Sequence, residues 1–204
     1  MGSDANTVIT LKGSVEIVRE FFGFAVNSIL FQRGIYPPET FTRVNKYGLT
    51  MLVSTDSGLL KYIDNVMNQL SSWLATGMVK KLVLVMMSMD SGKSLERWGF
   101  DVQTDSNFLD GEGKRLEGEA LSDKEIMAEI QAIIRQITAS VTFLPLLNDP
   151  CVFDLLVYAK DDVEIPIEWE ESDAKYITNQ HEVRLRSFTT KIHKVDAMVS
   201  YAAN

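Results

Sequence analysis

The sequence predicts an α+β fold in which three main helices pack on a mainly antiparallel β-sheet. Three segments carry apolar residues at helical spacing, two strand-like segments flank the turn at residues 90–93, and the residues after Cys151 alternate as strands do. The 204 residues are 46% hydrophobic, and no Pro-, Gly- or Ser-rich linker divides them. We therefore expect one domain over residues 1–204, with a core at about 10–160 and a separate C-terminal segment at about 161–204.

The first predicted helix starts at Ser14, whose side chain is a candidate N-cap, and ends before Gly34 and Pro37. Its apolar positions follow helical spacing over a broad stripe: Val15, Val18, Phe22, Val26, Ile29 and Leu30. A helix with so broad a stripe is expected at the centre of the fold.

The second predicted helix begins near Asp56 or Ser57 and stops at Gly77. Its apolar positions are Leu59, Leu60, Ile63, Val66, Met67, Leu70, Trp73 and Leu74. Directly after it, the strand-like segments 81–89 and 95–104 flank Asp90-Ser91-Gly92-Lys93, which predicts a β-hairpin.

The third predicted helix follows a stretch, Asp105 to Leu121, whose glycines and acidic residues predict a mobile loop. Ser122 and Glu125 form a capping box at the start of the helix, and Pro145 lies beyond its end. The apolar stripe consists of Ile126, Ile130, Ile133, Ile134 and Ile137.

Arg135 lies on the far side of this helix, about 160° around the helical wheel from Ile133 and Ile137. Gln136 is nearer the margin of the apolar stripe. The pattern alone leaves two interpretations open, a solvated helix face and a surface that contacts another molecule.

The segment that follows is apolar on both parities and therefore predicts an inner strand, buried on both faces. It contains one charge, and its residues are Cys151, Val152, Phe153, Asp154, Leu155, Leu156, Val157 and Tyr158.

The C-terminal segment has no single register. Its apolar residues stand first on odd, then on even and again on odd positions: Val183 and Leu185; Phe188, Thr190 and Ile192; Val195, Ala197, Val199 and Tyr201. Each parity change turns the apolar face over. Bulges and turns explain this pattern, and so does a segment that pairs in two different places.

Composition and motifs give no support for an enzyme, a cofactor or a metal site. Gly92-Lys93-Ser94 resembles the end of a phosphate-binding loop, but the required first glycine is replaced by Met87. His181 and His193 have no partner at the spacing of metal ligands or of a nucleophile and its base. We therefore expect no catalytic activity, and a nucleotide-dependent enzyme that uses Lys93 is a weak alternative.

Charge and cysteine content suggest where the protein works. The net charge of -8 argues against nucleic-acid binding, and the lone Cys151 is typical of a reducing compartment. No apolar run approaches the roughly 18 residues of a membrane span, and the N-terminus lacks signal-peptide character. We expect a soluble, unsecreted protein.

Several ordered blocks over nearly the whole chain resemble the HORMA-domain family, on its spindle-checkpoint branch. The blocks are Phe41–Leu49, Leu95–Trp98, Ile134–Thr138 with Phe143–Leu147, Phe153–Leu156, Trp169–Ser172, and Val183–Thr190 with Ile192–Val195.

This resemblance implies a protein that exists in open and closed folds and captures an extended peptide as an added strand beside residues 151–158. A C-terminal safety belt would move across the sheet and retain the peptide. Its residues include Trp169, Val183, Leu185, Phe188, Ile192, His193, Val195, Val199 and Tyr201. Anaphase onset would thereby be inhibited.

The resemblance also implies partners and places. The partners are the checkpoint scaffold mitotic arrest deficient one, the anaphase-promoting-complex activator cell-division-cycle protein twenty, the mitotic checkpoint complex, and a remodelling AAA+ ATPase with its adaptor. A second copy would pair through Arg135, Gln136, Phe143 and Arg186.

Expected locations are the nucleus, kinetochore, cytoplasm and nuclear-envelope region. The alternative within the same fold is an adaptor of a translesion DNA polymerase or of the meiotic chromosome axis.

Overall fold

A computed structural model of the chain describes residues 9–109 and 122–203. Its helices and strands are α1 (Leu11–Gln32), β1 (Phe41–Lys46), β2 (Leu49–Ser54), α2 (Ser57–Ala75), β3 (Val79–Ser88), β4 (Ser94–Thr104), α3 (Asp123–Ala139), β5 (Cys151–Ala159), β6 (Gln180–Thr189) and β7 (His193–Ala202). The prediction of three helices with an antiparallel sheet is confirmed, and every strand pairing among the described residues is antiparallel.

The first helix, α1, is central as predicted, but its cap is not Ser14. The helix starts a few residues earlier, where the Thr10 side chain accepts a hydrogen bond from the Gly13 amide. Ser14 is fully buried in the first turn and bonds to the C-terminal part of the chain instead. The prediction failed because two candidate caps lie within five residues, and the tertiary partners of Ser14 are not visible in the local sequence.

The caps and apolar stripes of the other two helices match the predictions. Asp56 accepts from the Leu59 amide at the start of α2, and Ser122 with Glu125 forms the capping box of α3. All predicted stripe positions are buried except Leu60, which is 38% exposed at the margin of the apolar stripe of α2. These apolar faces pack with one face of the main sheet into a common core.

The main sheet has five strands in the order β5-β3-β4-β7-β6. The predicted hairpin is β3 and β4, and its turn holds Gly92 at a φ of 67°. The C-terminal hairpin, β6 and β7, pairs with β4 through β7. It therefore lies across the sheet from β5.

A second hairpin, formed by β1 and β2, was not predicted. Its turn is Tyr47-Gly48, at φ of 54° and 67°, the left-handed conformation that a two-residue hairpin turn requires. Gly48, which lies between two strand-like segments, was the sequence signal from which this hairpin could have been predicted.

Both parity changes of the C-terminal segment have a local cause in this arrangement. The pairing of β6 with β7 is irregular between Arg184 and Ser187, which accounts for the first. The second falls in the turn between the strands, where Lys191 has a φ of 72° and the Thr190 amide donates to the His193 carbonyl. A bulge and a turn thus explain the pattern within one structure.

Two further predictions, the loop at residues 105–121 and the absence of a membrane span, can be compared with the described residues only. Part of the loop predicted at Asp105 to Leu121, residues 110–121, lies outside the described residues, while Ser106–Phe108 form a 3-10 turn. Within residues 9–109 and 122–203, no helix combines the length and the apolarity that a bilayer crossing requires.

Candidate functional site

The strand β5 forms one edge of the main sheet. It pairs with β3 on one side, and no described residue forms a strand along its other side. The prediction of an inner strand is therefore wrong for this structure: Val152 is 41% exposed and most of the strand is half-buried. An unpaired edge of this kind is a template for a further strand.

The backbone groups that face the open edge belong to the odd-numbered residues. The Lys160 amide donates toward β3, to the Met78 carbonyl, whereas the Leu155 amide donates to side-chain oxygens away from β3. Because backbone directions alternate along a strand, the amides of Phe153, Leu155 and Val157 point outward. Their side chains face the helices, where Leu155 is 5% exposed and belongs to the core.

The connection from β5 to β6 runs from one edge of the sheet to the other. Its Trp169 packs on Trp73 of α2, with ring centroids 5.1 Å apart. Further along, the Tyr176 ring lies 5.0 Å from the guanidinium of Arg97 on β4, which also donates to the hydroxyl of Tyr158 on β5. The connection thus contacts α2 through Trp169 and β4 through Tyr176, and Arg97 links the second contact to β5.

The C-terminal hairpin is anchored in the core by its apolar side chains. Phe188 is 1% exposed, and its ring centroid lies 4.9 Å from that of Phe21 on α1. The other predicted belt residues of the hairpin are buried at Ile192, His193, Val195 and Val199, and half-buried at Val183, Leu185 and Tyr201.

Polar bonds at the hairpin turn also attach it to the helices. His193 is fully buried, with Nδ1 2.7 Å from Ser14 Oγ and Nε2 3.3 Å from the Leu74 carbonyl oxygen. Thr190 Oγ1 lies 2.5 Å from the same serine oxygen. Since a carbonyl only accepts, Nε2 carries the proton in the neutral ring, and Nδ1 accepts from Ser14. Sequence analysis missed this function of His193.

Burial lowers the pKa of His193 below its ordinary value. As pH falls through the ordinary histidine range, the unfolded chain therefore binds a proton that the folded chain does not. The free energy of unfolding is expected to decrease from about pH 7 downward until the lowered pKa is reached, by about 1.4 kcal/mol for each pKa unit of lowering.

This acid sensitivity is measured by urea denaturation between pH 7 and pH 5. The variant His193→Gln should show a smaller decrease than the wild type, whereas His181→Gln, which alters the exposed histidine, should retain it. Equal decreases in all three proteins would show that His193 is not the group responsible.

A buried ion pair holds the end of α1 against β4 and the segment that leads into β5. Arg33 Nη2 lies 2.9 Å from Glu96 Oε2, and the two side chains are 3% and 1% exposed. Trp98 donates to the same carboxylate at 2.7 Å, and Arg33 donates to the Pro145 carbonyl at 2.5 Å. Burial raises the pKa of Glu96, while Arg33 and Trp98 favour its charged form. No sequence motif indicated this cluster.

The four residues predicted for self-pairing lie at α3, at the turn after it and at β6. Arg135 and Arg186 are exposed, and Phe143 is 43% exposed. Gln136 is half-buried, and its side-chain oxygen accepts from the Arg186 amide at 2.6 Å. Gln136 therefore caps one amide of the β6 strand, and Glu129 caps a second by accepting from the Thr189 amide at 2.9 Å.

Within the described parts of the chain, no group of three or more His, Cys, Asp or Glu side chains is placed to hold a metal ion. The features that organise this protein are a free strand edge, a connection that crosses the sheet and a docked C-terminal hairpin. They suit the binding of an extended peptide.

Comparisons with known proteins agree with this architecture. The HORMA domain family model matches residues 14–193. The mitotic spindle assembly checkpoint protein MAD2A of Dictyostelium discoideum is 60% identical over 197 residues, which cover 97% of this chain and 95% of the relative. MAD2A of Homo sapiens is 58% identical over 193 residues, which cover 95% and 92%.

A solved structure supports the same assignment. A chain in a crystal structure of the mitotic checkpoint complex aligns with a TM-score of 0.83 and 46% identity, over 94% of this chain and 99% of that one. The chain belongs to the HORMA-domain family and, within it, to the MAD2 mitotic spindle assembly checkpoint proteins, a non-enzymatic group. The family resemblance and the checkpoint function expected from the sequence are confirmed.

Proposed function

We propose that this protein captures an extended peptide of a checkpoint partner as an added strand beside β5, and that residues 161–204 retain the peptide. The observation that carries the proposal is the position of the C-terminal hairpin at the edge opposite β5, so that no strand among residues 9–109 and 122–203 pairs with the outer side of β5. This arrangement corresponds to the closed fold that the family resemblance implies. Main-chain hydrogen bonds to the outward groups of Phe153, Leu155 and Val157 would supply affinity, and alternate side-chain pockets would supply selectivity.

The proposed partners are mitotic arrest deficient one and cell-division-cycle protein twenty, and the proposed assembly is the mitotic checkpoint complex. Similarity to a chain of that complex supports this assignment. Capture of the activator of the anaphase-promoting complex would delay anaphase. We place this activity at kinetochores, in the nucleus and its envelope region, and in the cytoplasm.

Transfer of the hairpin to another position would be slow. It would break the pairing of β4 with β7 over residues 193–201, withdraw the Phe188 ring from α1 and separate His193 from Ser14. We propose that an AAA+ ATPase with its adaptor drives the return from the closed fold.

Peptide binding tests the proposal directly. We expect synthetic peptides from mitotic arrest deficient one and cell-division-cycle protein twenty to bind and to dissociate slowly, measured by fluorescence anisotropy. A peptide from a translesion polymerase subunit serves as the control. Preference for the polymerase peptide would contradict the checkpoint assignment and favour the adaptor alternative.

A second surface, formed by Arg135, Gln136, Phe143 and Arg186, is proposed to pair a closed copy with an open copy. We expect Arg135→Glu to weaken this pairing at least tenfold while leaving peptide capture intact, because the side chain is exposed and its helix, α3, contacts β6 at the sheet edge opposite β5. Analytical ultracentrifugation of mixed peptide-bound and peptide-free protein measures the pairing.

The matched control is Lys124→Glu, which makes the same charge change at an exposed position in the first turn of the same helix. It should leave the pairing within about threefold of the wild type, since it lies at the other end of α3. Pairing that survives Arg135→Glu unchanged would exclude this surface.

A further inference from the structure

A small cluster of side chains closes the middle of the β5 edge. The Leu155 amide, which points away from β3, lies 3.3 Å from the Tyr62 hydroxyl and 3.0 Å from Asp154 Oδ1. The hydroxyl itself lies 3.2 Å from the same carboxylate oxygen. Tyr62 reaches the edge from α2, and Asp154 belongs to β5. We call Tyr62 and Asp154 the edge clip.

The chemistry of the three groups fixes their hydrogen-bond roles. The Leu155 N–H donates to both oxygens, and the phenol, which both accepts and donates, gives its proton to the carboxylate. Burial raises the pKa of Tyr62 to about 12, so the phenol keeps that proton at neutral pH. The Tyr62 ring is held by Phe153, with centroids 5.8 Å apart.

The clip occupies a position that an incoming strand needs. Leu155 is the central residue of β5, and a strand paired with this edge would place a carbonyl where the two oxygens now lie. The outward amides of Phe153 and Val157 receive no comparable side-chain cap from the described residues.

We propose that Tyr62 acts as a positioning residue of the peptide edge, because its hydroxyl caps the outward amide of Leu155 until a partner strand displaces it. This inference rests on the proposed peptide capture at β5. The clip competes with the partner for one main-chain hydrogen bond, and it protects an otherwise open edge from unselective strand pairing. Ligands must then supply a carbonyl at this place in the strand.

Hydrogen exchange of the peptide-free protein tests the clip without any ligand. The Leu155 amide should exchange more slowly than the amides of Phe153 and Val157, and Tyr62→Phe should reduce that protection by about two- to tenfold. The Phe ring retains the packing on Phe153. Tyr36→Phe is the matched control, since Tyr36 also packs on Phe153, at 6.2 Å, but no described hydrogen bond joins it to β5.

Peptide affinity supplies the second test, with the mitotic arrest deficient one peptide as probe. Tyr62→Phe should lower the Kd by about two- to tenfold, and Tyr36→Phe should leave it unchanged. Tyr62→Phe should change the Kd less in an Asp154→Asn background, because Tyr62 and Asp154 both bond to the Leu155 amide.

An unchanged or raised Kd in Tyr62→Phe, with wild-type exchange at Leu155, would overturn the clip while leaving peptide capture intact. Failure of the wild-type protein to bind any peptide at β5 would instead overturn the proposed function. In that case the exchange of the Leu155 amide still decides whether the clip exists.

Discussion

Phe188→Ala is expected to lower the free energy of unfolding by about 3 to 5 kcal/mol. The ring is 1% exposed and packs edge-on against Phe21, which in turn packs against Phe100 on β4. Its removal leaves a cavity where the C-terminal hairpin meets α1. The same loss should speed dissociation of a captured peptide by at least tenfold, because the hairpin would retain it less firmly.

Urea denaturation and peptide dissociation kinetics measure the two effects of Phe188→Ala. The control is Arg184→Ala on the same strand, where the side chain is exposed and the expected change in stability is within about 0.5 kcal/mol. A loss of less than about 1 kcal/mol in Phe188→Ala would show that the hairpin does not occupy this site in solution.

Glu96→Ala is expected to lower the free energy of unfolding by about 3 to 5 kcal/mol, because it leaves the Arg33 guanidinium buried without its counter-charge. Trp98 would lose its acceptor at the same time. The effect should extend to the segment at Pro145, whose carbonyl accepts from Arg33. Chemical denaturation at neutral pH measures the loss.

Asp101→Ala is the matched control for Glu96→Ala. Asp101 also pairs with a cation, Lys81, at 2.9 Å and also lies on β4, but its side chain is 50% exposed. Solvent screens that pair, so the expected loss is below about 1 kcal/mol. If both variants lose the same stability, the Arg33–Glu96 pair does not act as a buried pair.

The parts of the fold that could be predicted from sequence are those set by short-range chemistry. Asp56 before α2 and the Ser122–Glu125 capping box marked helix starts within a few residues, and apolar spacing marked the buried faces. Ser14 shows the limit of this reasoning. Its bonding partners, Thr190 and His193, are 176 and 179 residues away, so nothing local distinguished it from a cap.

The position of β5 at an edge shows a second limit. Side-chain parity reports which faces of a strand are covered, but strands pair through the backbone, which carries no sequence signal. The even-numbered side chain of Leu156 packs beside Val83 and Val85 of β3, so the strand is apolar on both parities although no described strand pairs with its outer edge. The edge clip and the Arg33–Glu96 pair were equally invisible, since each joins residues distant in sequence.

We expect a partner peptide to pair with the outward edge of β5 while the hairpin remains on β4. Residue-resolved hydrogen exchange, with and without the mitotic arrest deficient one peptide, reports this pairing amide by amide. We predict new protection at the amides of Phe153 and Val157 and a further increase at Leu155, which the edge clip already protects in part, while the amides of Leu156 and Tyr158, which point toward β3, are protected in both states. Tight binding with unchanged exchange at Phe153 and Val157 would show that the peptide does not pair with this edge of β5.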